Sequence, residues 1–347
     1  MTREIEGSLG LVVERYGSDK WSKKLTTKDQ LGILVSANLA QSKSLSDISS
    51  MVEATGKFSF DGINKSSLSR VNSKRNSGIF EEAYRHILEK VRKRVPYSKI
   101  RVIDTTTSVV AKNLFSLWKM DGNRGAIKIG VEYDPFWQLP DQIIISDWKK
   151  GDTTHGKEFE YKKGLTYIFD RGFNDYGLYT KIIKTKAFFV ARMHKTNRFS
   201  WFKQKHIKPS NVISDETGKL GRPERVRKSR VMQDIVRVIR FKKEEGHKEG
   251  IIIATNRFDL RANDIRDLYK RRWDIELFFK FIKQNLKLKK FFGTTHNAVK
   301  SQIYCALIAY LLVYLIKPKY KNFTEFLRKV RYTLFFDFQQ LSFITDT

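Results

Sequence analysis

Apolar residues fall at helical spacing through residues 1–95 and at strand spacing just beyond. Thr26 or Thr27 can cap a helix over Lys28–Ala40, whose apolar face is Leu31, Leu34, Val35 and Leu39. Ser44 or Ser46 can start a short second helix carrying Leu45, Ile48 and Met51, and such a pair resembles a helix-turn-helix. A polar, basic stretch follows at Asn64–Gly78, then an amphipathic helix over Phe80–Arg94 that ends before Pro96. At Lys99 the texture changes. Ile100, Val102 and Ile103 form a β-rich run ending at Asp104, and Ile127–Tyr133 and Gln142–Ser146 read as the next two strands. Leu165–Phe169 is a fourth, ending at Asp170; Gly172–Lys184 suits a helix and Ala187–Met193 another strand. This order predicts an α/β core with an early meander.

Residues 195–250 break the pattern. They mix basic, polar and β-branched positions, with weak alternation over Val231–Phe241 and an exposed basic loop in GKLGRPERVRKSR, and read as a β-rich insertion with strands outside the central sheet. Core texture returns at Ile251–Thr255. Asn263 or Asp264 can cap one long helix that runs through Glu276. The run Ile303–Ile316 is apolar all round but short for a bilayer, so it reads as a buried helix.

Charge narrows the partner. Lys and Arg number 67 against 37 Asp and Glu, a net charge of +30, and the basic residues are spread along the whole chain. Such an excess fits a large nucleic-acid-binding surface better than an anionic membrane. Cys305 is the sole cysteine, which rules out an intrachain disulfide and fits a reducing cytoplasm. The N-terminus lacks a signal-peptide apolar core, and the chain reads as soluble and intracellular.

The candidate chemistry sits in three strings. Tyr269, Arg272, Glu276 and Lys283, in YKRRWDIELFFKFIKQ, project within roughly 60° of one another on a single helix. A phenol, a guanidinium, a carboxylate and an ammonium then share a stripe, which is either a salt-bridged surface or a metal ligand among phosphate-gripping groups. RVIDTTT and TYIFDRGF each put an acid, Asp104 or Asp170, at the end of an apolar strand, where α/β sheets gather ligands. Two strand-end acids and a helix acid can hold two hard divalent cations, with magnesium or manganese preferred to zinc.

IDTTT, FDRGF and the Y-x2-R-x3-E-x6-K helix resemble the three catalytic motifs of bacterial insertion-sequence DDE transposases, in the Y-R-E-K branch named after insertion sequence four. The resemblance covers at least residues 100–316 and extends to the N-terminal helical region. It implies a ribonuclease H-like catalytic core with a β-rich insertion, preceded by a helical N-terminal domain. The division it implies is 1–95 for a DNA-binding region, 96–194 and 251–316 for the two parts of the core, 195–250 for the insertion and 317–347 for a helical tail. Asp104, Asp170 and Glu276 are implied as the metal-binding catalytic acids, with Mg2+ as cofactor and Mn2+ able to substitute. Tyr269, Arg272 and Lys283 are implied as contacts to transposon-end phosphates.

Trp273 is placed either to stack on an extruded base or to anchor the core, and Arg171 either to salt-bridge locally or to touch DNA. Asp147 and Asp152 read as solvated loop acids. His155, His194 and His296 lack zinc-site spacing. The implied partners are double-stranded DNA, both element ends and target, and further copies of the chain in a homodimer or larger assembly, in a nucleoid-associated cytoplasmic setting with no membrane. A metal-dependent nuclease without strand transfer, or a non-catalytic DNA-binding derivative, shares the same residues.

Overall fold

The computed structural model describes residues 3–20, 22, 24–56, 58, 62–110, 125–206, 208–221, 232–245, 249–286, 288, 291–316 and 322–333. The chain forms two compact units. One comprises Met1–Pro96, Ser108–Ile127 and Phe279–Thr347, the other Tyr97–Thr107 and Lys128–Phe278.

The first unit is mostly helical. Its N-terminal part holds α1 (Arg3–Tyr16), α2 (Thr27–Leu39), α3 (Leu45–Thr55), α4 (Lys65–Lys74) and α5 (Gly78–Arg92). Thr26 caps α2 as the sequence predicts, and Asp29 returns a bond to the Thr26 N–H at 3.0 Å. Ser44 caps α3, accepting from the Asp47 N–H at 3.1 Å. The polar stretch Asn64–Gly78 contains a helix: the Asn64 side chain caps α4, and Leu68 supplies a fully buried apolar contact. Arg75, just past α4, is buried and reaches Asp19 at 3.0 Å and Gln30 at 2.7 Å, which ties the end of α4 to α2 and to the turn before it.

The second unit carries the sheet: β1 (Ile100–Val110), β2 (Gly125–Asp134), β3 (Leu139–Asp147), β4 (Thr166–Phe169), β5 (Phe188–Arg192), β6 (Phe199–Gln204), β7 (Val212–Leu220), β8 (Val236–Phe241) and β9 (Ile252–Thr255). Between them lie α6 (Asp152–Glu158), which the sequence reading treated as loop, and α7 (Tyr176–Lys184). All nine strands join one sheet in the order β3-β2-β1-β4-β5-β9-β8-β7-β6. β1, β4 and β5 are parallel, and β1 through β5 make the ribonuclease H-like half. Its buried core includes Ile103, Tyr167, Phe169, Phe173, Tyr179 and Phe189.

The β-rich texture of 195–250 is present, but its strands do not stand outside the central sheet. β9 returns antiparallel to β5, with Val190 opposite Thr255, and β8, β7 and β6 continue outward from it. Pairing with β9 satisfies the backbone groups that β5 would otherwise expose at an edge. The bidentate pair of Arg237 with Asp215, at 2.7 Å for both bonds, locks β8 to β7. Most of the expected basic loop, residues 222–230, lies outside the described residues.

The long helix expected from Asn263 is two helices, α8 (Ala262–Lys270) and α9 (Arg272–Asn285). At the joint the Arg271 N–H bonds the Leu268 carbonyl at 3.1 Å and the Asp274 N–H bonds Arg271 at 3.0 Å, the tighter i to i+3 pattern. The N-cap is Arg261, and Asp264 accepts the Arg261 N–H at 3.3 Å from inside the first turn. The remaining helices are α10 (His296–Ile316) and α11 (Phe323–Thr333); residues 334–347 lie outside the described ones. α10 packs against α2, α4 and α5. Among the described residues it is the one helix long and apolar enough to cross a membrane, and 72% of its apolar window is buried inside the protein. An all-apolar helix needs such enclosure in water. Its neighbours place it with the N-terminal helices, whereas the sequence division grouped it with the core.

Candidate active site

β1 runs on past Asp104, so this acid is not at a strand terminus as the sequence reading had it. The β-branched run Thr105–Val110 keeps the backbone extended. Pairing with β4, however, stops at Ile103 opposite Phe169. Asp104 and Asp170 are the next residue on each chain, so the two acids stand side by side where β4 ends. Burial pushes the Asp104 carboxyl up to about 6; the Thr105 N–H and Arg272 work against that, while the charges of Asp170 and Asp152 add to it.

Arg272 brings in the third acid. Its Nη2 meets Glu276 Oε1 at 2.6 Å, one turn along α9, and its Nη1 lies 3.9 Å from Asp104 Oδ2. Burial opposes the guanidinium charge, but Tyr269, Glu276 and Asp170 outweigh it and hold the pKa above its ordinary value. The Tyr269 hydroxyl donates to Asp170 Oδ1 at 3.2 Å. Burial, and then Asp170, push that phenol up to about 12. Tyr269 is 6% exposed, so it faces the acid site from α8 instead of extending a solvent-facing stripe.

The arrangement therefore joins Asp104, Asp170 and Glu276 through Arg272 and Tyr269. It does not close them around one point: among the described residues, no three His, Cys, Asp or Glu side chains are placed to hold a single ion. The donors nevertheless fit a hard divalent cation. All are carboxylate oxygens, the burial of Asp104 is under-compensated, and a guanidinium already sits between two of the acids.

Of the other residues singled out, Trp273 is 57% exposed, which removes the core-anchor reading. Lys283 is half-buried on α9. Arg171 is exposed in the 3-10 turn after Asp170, and its charge adds to the larger effect of Lys195 in lowering the carboxyl pKa of Glu249. Asp147 closes its own turn, accepting the Lys149 N–H at 2.9 Å. His155 is fully buried beside Ser146 at 2.6 Å, and burial drives its pKa down to about 4, which keeps the ring neutral. Asp152 is the residue that sequence reasoning undervalued. Instead of a solvated loop acid it is a half-buried partner of Thr105 and Lys128, at 2.7 and 3.0 Å. The signal for α6 was weak, because DTTHGKE has no apolar face.

Comparisons with known proteins identify the family. The model of the transposase DDE domain matches residues 97–312. A putative transposase from Sinorhizobium fredii is 33% identical over 254 residues, covering 71% of this chain and 69% of that protein. A probable transposase for insertion sequence element IS5377 from Geobacillus stearothermophilus is 30% identical over 219 residues, 62% of this chain and 55% of that one. A putative transposase for insertion sequence element IS4SA from Synechocystis is 23% identical over 289 residues, 80% and 79% of the two chains. Among solved structures, a piggyBac transposase synaptic complex with hairpin DNA is similar at a TM-score of 0.49 and 10% identity, over 95% of this chain and 77% of that one. The chain belongs to the bacterial insertion-sequence transposases of the DDE family, metal-dependent enzymes that bind DNA and cleave and join it.

Proposed function

We propose that Asp104, Asp170 and Glu276 are the catalytic acids with which this transposase cuts and rejoins DNA at the ends of its own element. The observation that carries the reading is the Arg272 guanidinium shared between Asp104 and Glu276, with Asp170 beside Asp104 on the next strand. These carboxylates would hold Mg2+, or Mn2+ in its place. When bound, the ions supply activation of the attacking water or 3′-hydroxyl and charge stabilisation at the leaving oxygen of the phosphodiester.

The chain's own residues do the rest. The Thr105 N–H fixes one Asp104 oxygen at 2.7 Å. The Tyr269 hydroxyl fixes one oxygen of Asp170. Arg272 keeps Glu276 oriented and offsets carboxylate repulsion before ions arrive; with them present it is free to pair with a backbone phosphate. Lys283 and Arg171 add phosphate contacts, and Trp273 offers an exposed indole on which a base leaving the helix can stack. The N-terminal helices α2 and α3, in a chain of net charge +30, contribute to end binding. Catalysis takes place in a homodimer or larger assembly on paired ends, in the nucleoid.

A gel assay on DNA carrying the element's ends, with and without Mg2+, tests the reading. Nicking at the end followed by joining of the 3′-hydroxyl to target DNA is expected only with the ion. Nicking without joining, given a pre-cut end, would leave a nuclease.

A further inference from the structure

Asp152 is not among the three acids, yet it touches the backbone segments that carry two of them. Its Oδ1 accepts from the Thr105 hydroxyl at 2.7 Å and from Lys128 Nζ at 3.0 Å. Thr105 is the residue whose N–H holds Asp104 Oδ1. Asp152 Oδ2 faces the other strand: a Cβ on Gly172, two residues past Asp170, would lie 2.8 Å from it. So one carboxylate is hydrogen-bonded to the side chain of the residue after Asp104 and fills the space that a side chain at 172 would need.

The carboxylate is itself firmly seated. It occupies the first turn of α6, which is pinned by the buried His155 on Ser146 and by the Tyr161 hydroxyl on the Gly156 carbonyl at 2.6 Å. Lys128 also reaches the Lys150 carbonyl at 2.7 Å, closing the loop that leads into α6. With two donors already on Oδ1 and Oδ2 against Gly172, Asp152 is poorly placed to serve as a cation ligand. It also accounts for the glycine of FDRGF, since a side chain there would displace the brace.

We propose that Asp152 is a positioning residue, acting through Thr105 and Gly172 to hold the chain segments that carry Asp104 and Asp170 at the spacing that receives divalent cations. This rests on the reading of Asp104, Asp170 and Glu276 as the catalytic acids. It predicts that metal affinity, not merely stability, depends on a hydroxyl at position 105 and an acceptor at 152.

The test titrates Mn2+ into the purified full-length protein, following free Mn2+ by electron paramagnetic resonance, with thermal melting and end cleavage alongside. Thr105→Val and Asp152→Ala should each weaken Mn2+ binding by about fivefold, the scale of one lost hydrogen bond. The double variant should be no weaker than the worse single, because both remove the same contact. Thr105→Ser and Asp152→Asn, which keep a hydroxyl donor and an oxygen acceptor, should restore most of the affinity. Wild-type Mn2+ affinity in Thr105→Val and Asp152→Ala, whether or not melting falls, overturns the proposal, as do losses that multiply in the double variant. Complete loss of binding in Asp152→Asn also overturns it, by making Asp152 a ligand. Wild-type Mn2+ binding in Asp104→Asn would instead overturn the catalytic-acid reading, a result distinct from all of these.

Discussion

Two charged clusters lie three residues apart on β1 and behave differently. At one, Arg101 is ringed by Asp141 at 2.7 Å, Asp134 at 3.1 Å and Glu132 at 3.3 Å, and the side chains of Arg101, Glu132 and Asp134 are at most 4% exposed. At the other, Asp104 and Glu276 share Arg272 while Asp170 accepts from Tyr269, and the side chains of Asp104 and Glu276 are 20% and 35% exposed. Both crowd several carboxylates around one guanidinium, and alternation along the strand sends Arg101 and Asp104 to opposite faces. The enclosed cluster relieves its excess negative charge internally: burial, and then Asp141, push Glu132 up to about 7, so it readily keeps a proton. The open cluster can take its missing positive charge from solution. The proposed catalytic cluster therefore differs from the enclosed one not in its acid excess but in its exposure to an ion and a phosphate.

The largest effect should separate the two clusters by chemistry. Asp104→Asn, Asp170→Asn and Glu276→Gln should each lower Mg2+-dependent end cleavage by on the order of 10³ or more while largely sparing end binding. A single one of them cleaving at near the wild-type rate removes that acid from the site. Arg101→Met should do the reverse. It takes the guanidinium away from Asp134 and Asp141 beside the buried Glu132, so denaturant unfolding should show a loss of about 3–5 kcal/mol. A fully stable Arg101→Met protein would mean the cluster is more hydrated than its burial implies.

The pH dependence sharpens the contrast. Asp104 has a folded pKa of about 6, above its unfolded value of 3.8. The folded state therefore binds more protons between those values. The stabilising effect of the neutral form is complete below the unfolded pKa and is lost as pH rises through about 6. Asp104→Asn should then be more stable than wild type without metal at pH 7.5, by on the order of 2–3 kcal/mol, with the advantage vanishing near pH 4. Denaturant curves at the two pH values check this, and an equal difference at both would contradict the under-compensated burial of Asp104. The smallest effects concern the exposed neighbours. Trp273→Ala should change stability by no more than about 0.5 kcal/mol. It should leave the salt dependence of end binding intact and slow a step needing an extruded base more than the first nick. Lys283→Ala should lower the salt slope by about one. Loss of every step together in Trp273→Ala would point away from base stacking.

Much of this was legible in the chain because it is local. Thr26 and Ser44 announce their helices through a side chain that meets the N–H three residues on. Val102, Ile103, Ile168 and Phe169 announce strands, and the acids that follow them mark where the apolar run gives way. The motif spacing and the charge of +30 were enough to point to the family and its DNA substrate.

What the tertiary structure alone decided depends on partners distant in sequence. Nothing near Ile252–Thr255 indicates that it pairs with β5 and so carries the insertion into the same sheet; that follows from the need to satisfy an edge. The joint at Arg271 contains no Gly or Pro to reveal it, and it turns Tyr269 from a member of one helical stripe into the hydrogen-bond donor to Asp170. Asp152 is 47 residues from the Thr105 it binds. No periodicity reports a contact between a strand and a seven-residue helix without an apolar face. The sequence by itself determined which groups can hold a metal and grip a phosphate. Only the folded chain decided which of them meet, because burial and strand pairing are set by the whole sheet and not by any one segment of it.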